Sequence, residues 1–182
     1  MVKGNDSNME YIMCRAELAS PVTDWEASWR RARIKGLGSE ATSFLWKLMH
    51  RLLPTEKRIA RILPNSSENC KYCPMQTPAD LVHSFFNCVK TRVMGRSLLT
   101  ALRQHDPSVT PSGLLRLEFQ EEGDIVWMTA HILHYMWTTR TNGRVVDLVL
   151  TRAMLESKIN LLRETRYSNE VNLLEEIFNN LQ

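Results

Sequence analysis

Cys70-Lys71-Tyr72-Cys73-Pro74 and His83-Ser84-Phe85-Phe86-Asn87-Cys88 together spell C-x2-C-x9-H-x4-C. Two thiolates three residues apart on a tight turn can face one tetrahedral ion, and a histidine and a third cysteine complete the set. Four protein ligands leave no open coordination position, so the pattern predicts one structural Zn2+ on Cys70, Cys73, His83 and Cys88 rather than a catalytic metal. Thr77-Pro78-Ala79-Asp80 has the signature of a helix start, with Thr77 as cap, Pro78 first and Asp80 third. That helix would carry His83. Cys88 lies five residues on, about 140° round an α-helix, so the helix must end near Asn87 to return Cys88 to the ion. Phe85 and Phe86 supply apolar cover.

The flanks read as helices. Asp24 caps a helix through Trp25, Trp29, Ala32 and Arg33 that stops at Gly36-Leu37-Gly38. Ser39 caps a second, with Phe44, Leu45, Leu48, Met49 and Leu52 on one face, halted by Pro54. Thr55 caps a third, Glu56 to Leu63, whose apolar side is Ile59, Ile62 and Leu63. Trp46, Leu48, Leu52, Ile59 and Ile62 are expected to bury together beside Phe85 or Phe86. Thr91 to Gln104 follows as a helix, whereas Gly113 to Phe119 fits neither period cleanly. Asp124 caps an apolar helix from Ile125 to about Thr139. Beyond Asn142-Gly143 a long helix runs to about Arg166 with Val145, Leu148, Val149, Met154 and Ile159 inward, and a last one starts near Ser168.

The fold class is therefore all-α, a helical domain with an embedded CCHC zinc-binding turn-helix module. The segments are a loose tail (1–21), a basic helical segment (22–64), the zinc module (65–92) and a helical bundle (93–182). Seven Gly and seven Pro in 182 residues are too few for a many-stranded sandwich or barrel. No uncharged apolar run reaches the ~20 residues that span a bilayer, and Met1 to Ser20 has no apolar block of a secretory signal. Four cysteines without an export route are expected to be thiols in a reducing, intracellular compartment, nuclear ahead of cytoplasmic.

The net charge of +3 is unevenly spread. Trp25 to Arg96 holds thirteen Lys/Arg against five Asp/Glu, a balance of +8, while Thr110 to Gln182 holds seven against ten. A basic half points to phosphates on one side of the molecule. The expected contacts are Arg30, Arg31, Arg33, Lys35, Lys47, Arg51, Lys57, Arg58 and Arg61, with Tyr72 beside the zinc turn placed to stack on a base. His131 and His134 share a helix face, but an apolar helix without a thiolate makes them core or edge residues. No Gly-rich phosphate loop and no catalytic grouping is legible, so the chain reads as a binding module and not an enzyme.

The run Phe44-Leu45-Trp46-Lys47-Leu48-Met49-His50-Arg51-Leu52-Leu53-Pro54-Thr55, then Arg58-Ile59-Ala60, then the four ligands with Phe85-Phe86-Asn87 before Cys88, resembles a known pattern. It is similar to the zinc-binding region C-terminal to the reverse transcriptase of non-LTR (LINE-type) retrotransposons. The likeness covers about Trp29 to Met94. It implies an accessory that binds element RNA or target DNA, with the family's ligands falling on Cys70, Cys73, His83 and Cys88. Nothing catalytic carries over, because the chain has no Asp-Asp pair to hold polymerase metals. The resemblance describes a detached or domesticated tail. The alternative is a protein-interaction adaptor that docks a partner through its C-terminal helices and uses zinc only for shape.

Overall fold

The computed structural model describes residues 25–33, 36–118 and 123–165. The tail (1–21), Cys14, Asp24, Lys35 and the helix expected from Ser168 lie outside them. Among the described residues seven α-helices follow in order: α1 (Trp25–Arg31), α2 (Ser39–Met49), α3 (Glu56–Ile62), α4 (Arg92–His105), α5 (Pro111–Leu115), α6 (Asp124–Thr141) and α7 (Leu148–Thr165). A π-helical turn, His83–Asn87, precedes α4. Among the described residues there is no strand, only an antiparallel bridge between Asn69 and Pro78. The fold is all-α, as the periodicity predicts.

The core is built round α6. From Ile125 to Trp137 this helix buries residues on every side, which is the pattern of a central helix rather than a surface one. Phe44, Leu45 and Leu48 of α2, Met94, Leu98 and Leu102 of α4, and Leu155 and Ile159 of α7 belong to the same core. Phe85 joins them from the π-turn, 5.9 Å from the Trp137 ring and 6.4 Å from that of Phe44. One continuous core thus takes side chains from Ala32 to Ile159, so the basic segment and the C-terminal bundle share it. Gly95 lets α4 approach the π-turn, since a Cβ there would overlap the carbonyl oxygen of Phe85.

Several boundaries and faces differ from expectation. Gly38, not Ser39, is the residue before α2, and no side chain caps that end. Thr55 does cap α3, its hydroxyl oxygen accepting from the Arg58 N–H at 3.3 Å. Yet α3 buries none of its residues, and Ile62 and Leu63 are exposed. Polar ties hold this short helix instead, among them the Lys57 N–H donating to the Ala79 carbonyl. Of the five side chains expected to bury beside Phe85, only Leu48 is buried. Trp46 is half exposed because it lies two residues, about 200°, from both Phe44 and Leu48 on α2. Leu52 falls beyond the end of that helix. In the ambiguous region, Thr110 caps α5 by accepting from the Gly113 N–H. Val145, ahead of α7, and Val149 on it are exposed, and Leu148, Thr151, Leu155 and Ile159 face inward. The start of α7 is set by Asp147, whose carboxylate accepts from the Val149 and Leu150 N–H groups.

Candidate metal centre

The first two ligands sit at the turn of a small hairpin. Cys70 N–H donates to the Thr77 carbonyl at 2.9 Å, and Ala79 N–H to the Glu68 carbonyl at 2.9 Å. This pairing keeps the chain extended through Ala79, so Thr77 and Pro78 do not start the helix. Asp80 caps it instead, its Oδ1 accepting from the His83 N–H at 2.7 Å. The Thr77 hydroxyl donates to the Met75 carbonyl.

The expected helix end near Asn87 is observed, since Cys88 is extended at φ −64° and ψ 137°. The route to it is a widened turn. Cys88 N–H donates to the His83 carbonyl at 2.8 Å, an i→i+5 bond that brings residues five apart close to one full turn. An α-turn would leave these two ligands about 140° apart. Thr91 steadies the turn from below, its hydroxyl donating to the Ser84 carbonyl at 2.8 Å.

Cys70, Cys73, His83 and Cys88 come together, their ligand atoms all within 4.8 Å of one another. The Sγ atoms of Cys70 and Cys88 are 3.7 Å apart, those of Cys73 and Cys88 3.9 Å, and Cys73 Sγ lies 3.5 Å from His83 Nε2. The edges of a tetrahedron built on metal–sulfur bonds of about 2.3 Å measure about 3.8 Å. A disulfide would need about 2.05 Å, and all three cysteines are free. The four side chains are therefore close enough to hold one metal ion.

Their surroundings favour thiolates unequally. Burial raises the Cys70 pKa, but the Tyr72 N–H, the Arg140 guanidinium and the neighbouring thiols outweigh it and bring it below its ordinary value. Burial dominates at Cys88 and pushes its thiol up to about 11, despite the Lys90 N–H and Arg140. Burial, followed by the positive charge of Arg140, lowers the His83 imidazole, which keeps it neutral and able to ligate. A divalent cation deprotonates coordinating thiols outright, overriding these differences.

Arg140 is the residue the sequence concealed. It is buried at the end of α6 and contacts both Glu56 oxygens, at 2.9 and 3.0 Å, and Cys70 Sγ at 3.5 Å. Burial alone would lower its pKa, but Glu56 and the two cysteines raise it above the usual guanidinium value. Glu56 is 84 residues away, so no local pattern joins them; the one available signal is a lone Arg closing an apolar helix. Tyr72 lies against this group, with the cations of Lys71, Arg140 and Lys90 over its ring at 5.0, 5.2 and 5.7 Å. Its hydroxyl donates to the Thr141 carbonyl. The half-buried ring is thus already engaged by cations.

The basic residues fall into separate groups. Arg51, Lys57, Arg58 and Arg61 surround one cleft of about 240 Å3, closed on another side by Asp80, Leu81 and Val82. Arg33 lines a groove with Trp29, Trp46 and His50. Lys47 is exposed beside Ser43 and His134. Arg30 is exposed and pairs with Glu26 on its own helix, while Arg31 is partly buried and donates to the Leu117 carbonyl at 2.9 Å. Neither His131 nor His134 belongs to a metal-ligating group among the described residues. His131 is buried edge-on to Trp127, and His134 packs on Phe44.

Comparison with known protein families, curated proteins and solved structures finds no match to this chain. No helix among the described residues is long and apolar enough to cross a membrane.

Proposed function

We propose that the four ligands hold one structural zinc ion and that the chain is a nucleic-acid-binding module gripping phosphates in the Arg51–Arg61 cleft. Three thiolates and an imidazole are a donor set suited to zinc, and four protein ligands leave no place for a substrate. The nucleic-acid reading is carried by one observation: four cationic side chains from the end of α2 and from α3 surround a single cleft. The start of the ligand-bearing helix forms another wall, so the metal would act indirectly by keeping that wall in place. The resemblance to the region that follows a LINE-type reverse transcriptase points the same way, toward a detached or domesticated tail. On this reading the protein has no catalytic role and works in a reducing compartment with access to RNA or DNA, the nucleus ahead of the cytoplasm.

Binding of duplex DNA across a salt series tests the proposal. Four phosphate contacts would lose roughly a hundredfold in affinity between about 50 and 200 mM salt, because each contact releases condensed counterions. Lys57→Ala with Arg61→Ala should weaken all sequences alike and flatten the salt slope by roughly two. Arg58 is left intact in this variant because its guanidinium donates to the Arg51 carbonyl. A salt-insensitive interaction, or none with any nucleic acid at low salt, would replace this reading with the protein adaptor. Exposed Val145, Val149 and Leu150 around the start of α7 are the surface such an adaptor would use.

A further inference from the structure

The cleft ends at Arg51, and the residue before it lines a different depression. His50, with Trp29, Ala32, Arg33, Thr42 and Trp46, walls a groove of about 350 Å3 between α1 and α2. Arg51 has φ 56°, the left-handed conformation that non-glycine residues rarely adopt. Consecutive side chains at this bend thus serve two adjoining surfaces, an aromatic one and a cationic one.

The rings of the groove are arranged for stacking but incompletely covered. His50 lies between two indoles, 4.8 Å from Trp29 at 44° and 4.4 Å from Trp46 at 48°. Trp46 is 50% exposed, although its neighbour Leu45 is fully buried. Burial lowers the His50 pKa, so this imidazole is a neutral aromatic wall at neutral pH and not a further charge. Arg33, on the rim, is exposed. A half-exposed indole and a guanidinium lining one groove are suited to a flat aromatic ring attached to an anion.

Building on the nucleic-acid reading above, we propose that this groove takes an unstacked base, which makes the ligand a single strand. Phosphates would follow the Arg51–Arg61 cleft while one base packs on Trp46. Bases inside a duplex are stacked on one another and present no face to Trp46; those of a single strand do. Stacking is tolerant of sequence, since every base has a π-face, so the recognition would be of strandedness.

The test measures anisotropy of fluorescein-labelled oligo-dT, oligo-U, duplex DNA and duplex RNA of equal length at low salt. Single strands should bind more tightly than duplexes. Trp46→Ala should weaken single-strand binding roughly tenfold to hundredfold and change duplex binding less than about twofold, while Trp46→Phe retains most of the affinity. Thr42→Trp fills the groove from an exposed position and should cause the same selective loss with Trp46 intact. A preference between oligo-U and oligo-dT would assign the strand to RNA or DNA, and either supports the inference. Duplexes bound as tightly as single strands, or both variants binding single strands normally, would overturn it while leaving a salt-sensitive phosphate-binding protein. Loss of every probe for the wild type at low salt would overturn both readings.

Discussion

Around α6 the chain relies on area, whereas between Glu68 and Arg92 it relies on a few directed bonds. The α6 core draws apolar side chains from α2, α4, α7 and the π-turn, and its own helix is buried on all sides. The hairpin at Asn69 and Pro78 packs Cys70 and Ala79 with Cys88 into a second small cluster, with Tyr72 and Cys73 against it. A hairpin with so little apolar burial needs another source of order, and ligation is the one its side chains offer. Phe85 and Arg140 are two of the points where the two regions meet. The first reaches from the ligand turn into the core, and the second from the central helix to the ligands.

On the proposed zinc reading, the sharpest way to separate the regions is to remove the metal. A chelator, or Cys70→Ser, should cost the hairpin and π-turn several kcal/mol, seen as loss of amide-exchange protection at Ala79 and Cys88. Amides of α6 should keep most of their protection, because most of the helix is buried by α2, α4 and α7. Uniform loss across both regions would mean that they fold as one unit.

Breaking the bridge between the regions comes next. Arg140→Met leaves Glu56 in a largely buried position without its partner and should destabilise the fold by about 3 kcal/mol. Pairing it with Glu56→Leu should recover much of that loss in urea unfolding, since an apolar pair of similar size replaces two charges taken out of water. Metal affinity of the single variant against wild type would show how far Arg140 supports the ligands as well as the helix.

The smallest effect isolates the α6 side. Burial, helped by the charges of Lys158 and His134, lowers the His131 pKa to about 4. Unfolding raises it toward 6.5, so the unfolded chain binds the extra proton in the window between these values. The associated stability is therefore complete above about pH 6.5 and declines as pH falls toward 4, by about 1–2 kcal/mol between pH 7 and 5. His131→Gln should flatten that decline, and the difference between variant and wild type cancels any acid effect on the metal ligands.

Much of this arrangement is legible from residues near one another in the chain. The ligand spacing points to Cys70, Cys73, His83 and Cys88, Thr55 marks the start of α3, and the angular argument from His83 to Cys88 ends the turn at Asn87. What escapes is set by distant partners. Thr77 and Pro78 carry helix-start chemistry, but the hairpin bonds on either side, Cys70 N–H to the Thr77 carbonyl and Ala79 N–H to the Glu68 carbonyl, hold them extended. Ile62 and Leu63 form an apolar face, yet periodicity identifies a face without saying what covers it. The Glu56–Arg140 pair spans most of the fold and leaves no periodic trace. The sequence leaves open whether the nine basic residues share one face, and folding divides the eight that are described among a cleft, a groove and scattered positions.

The widened turn at His83–Asn87 has a consequence for how this segment tolerates change in length. Its four intervening positions act as a ruler: Ser84, Phe85, Phe86 and Asn87 must number four for the His83 carbonyl to meet the Cys88 N–H. Deleting one would let an ordinary α-turn align the two ligands, but it would also rotate everything downstream by about 100°. Gly95 would then no longer lie beneath the Phe85 carbonyl, and the Thr91 hydroxyl would lose the Ser84 carbonyl. Substitution within the ruler is graded by side chain, from exposed Asn87 to fully buried Phe85. Its length admits no such gradation.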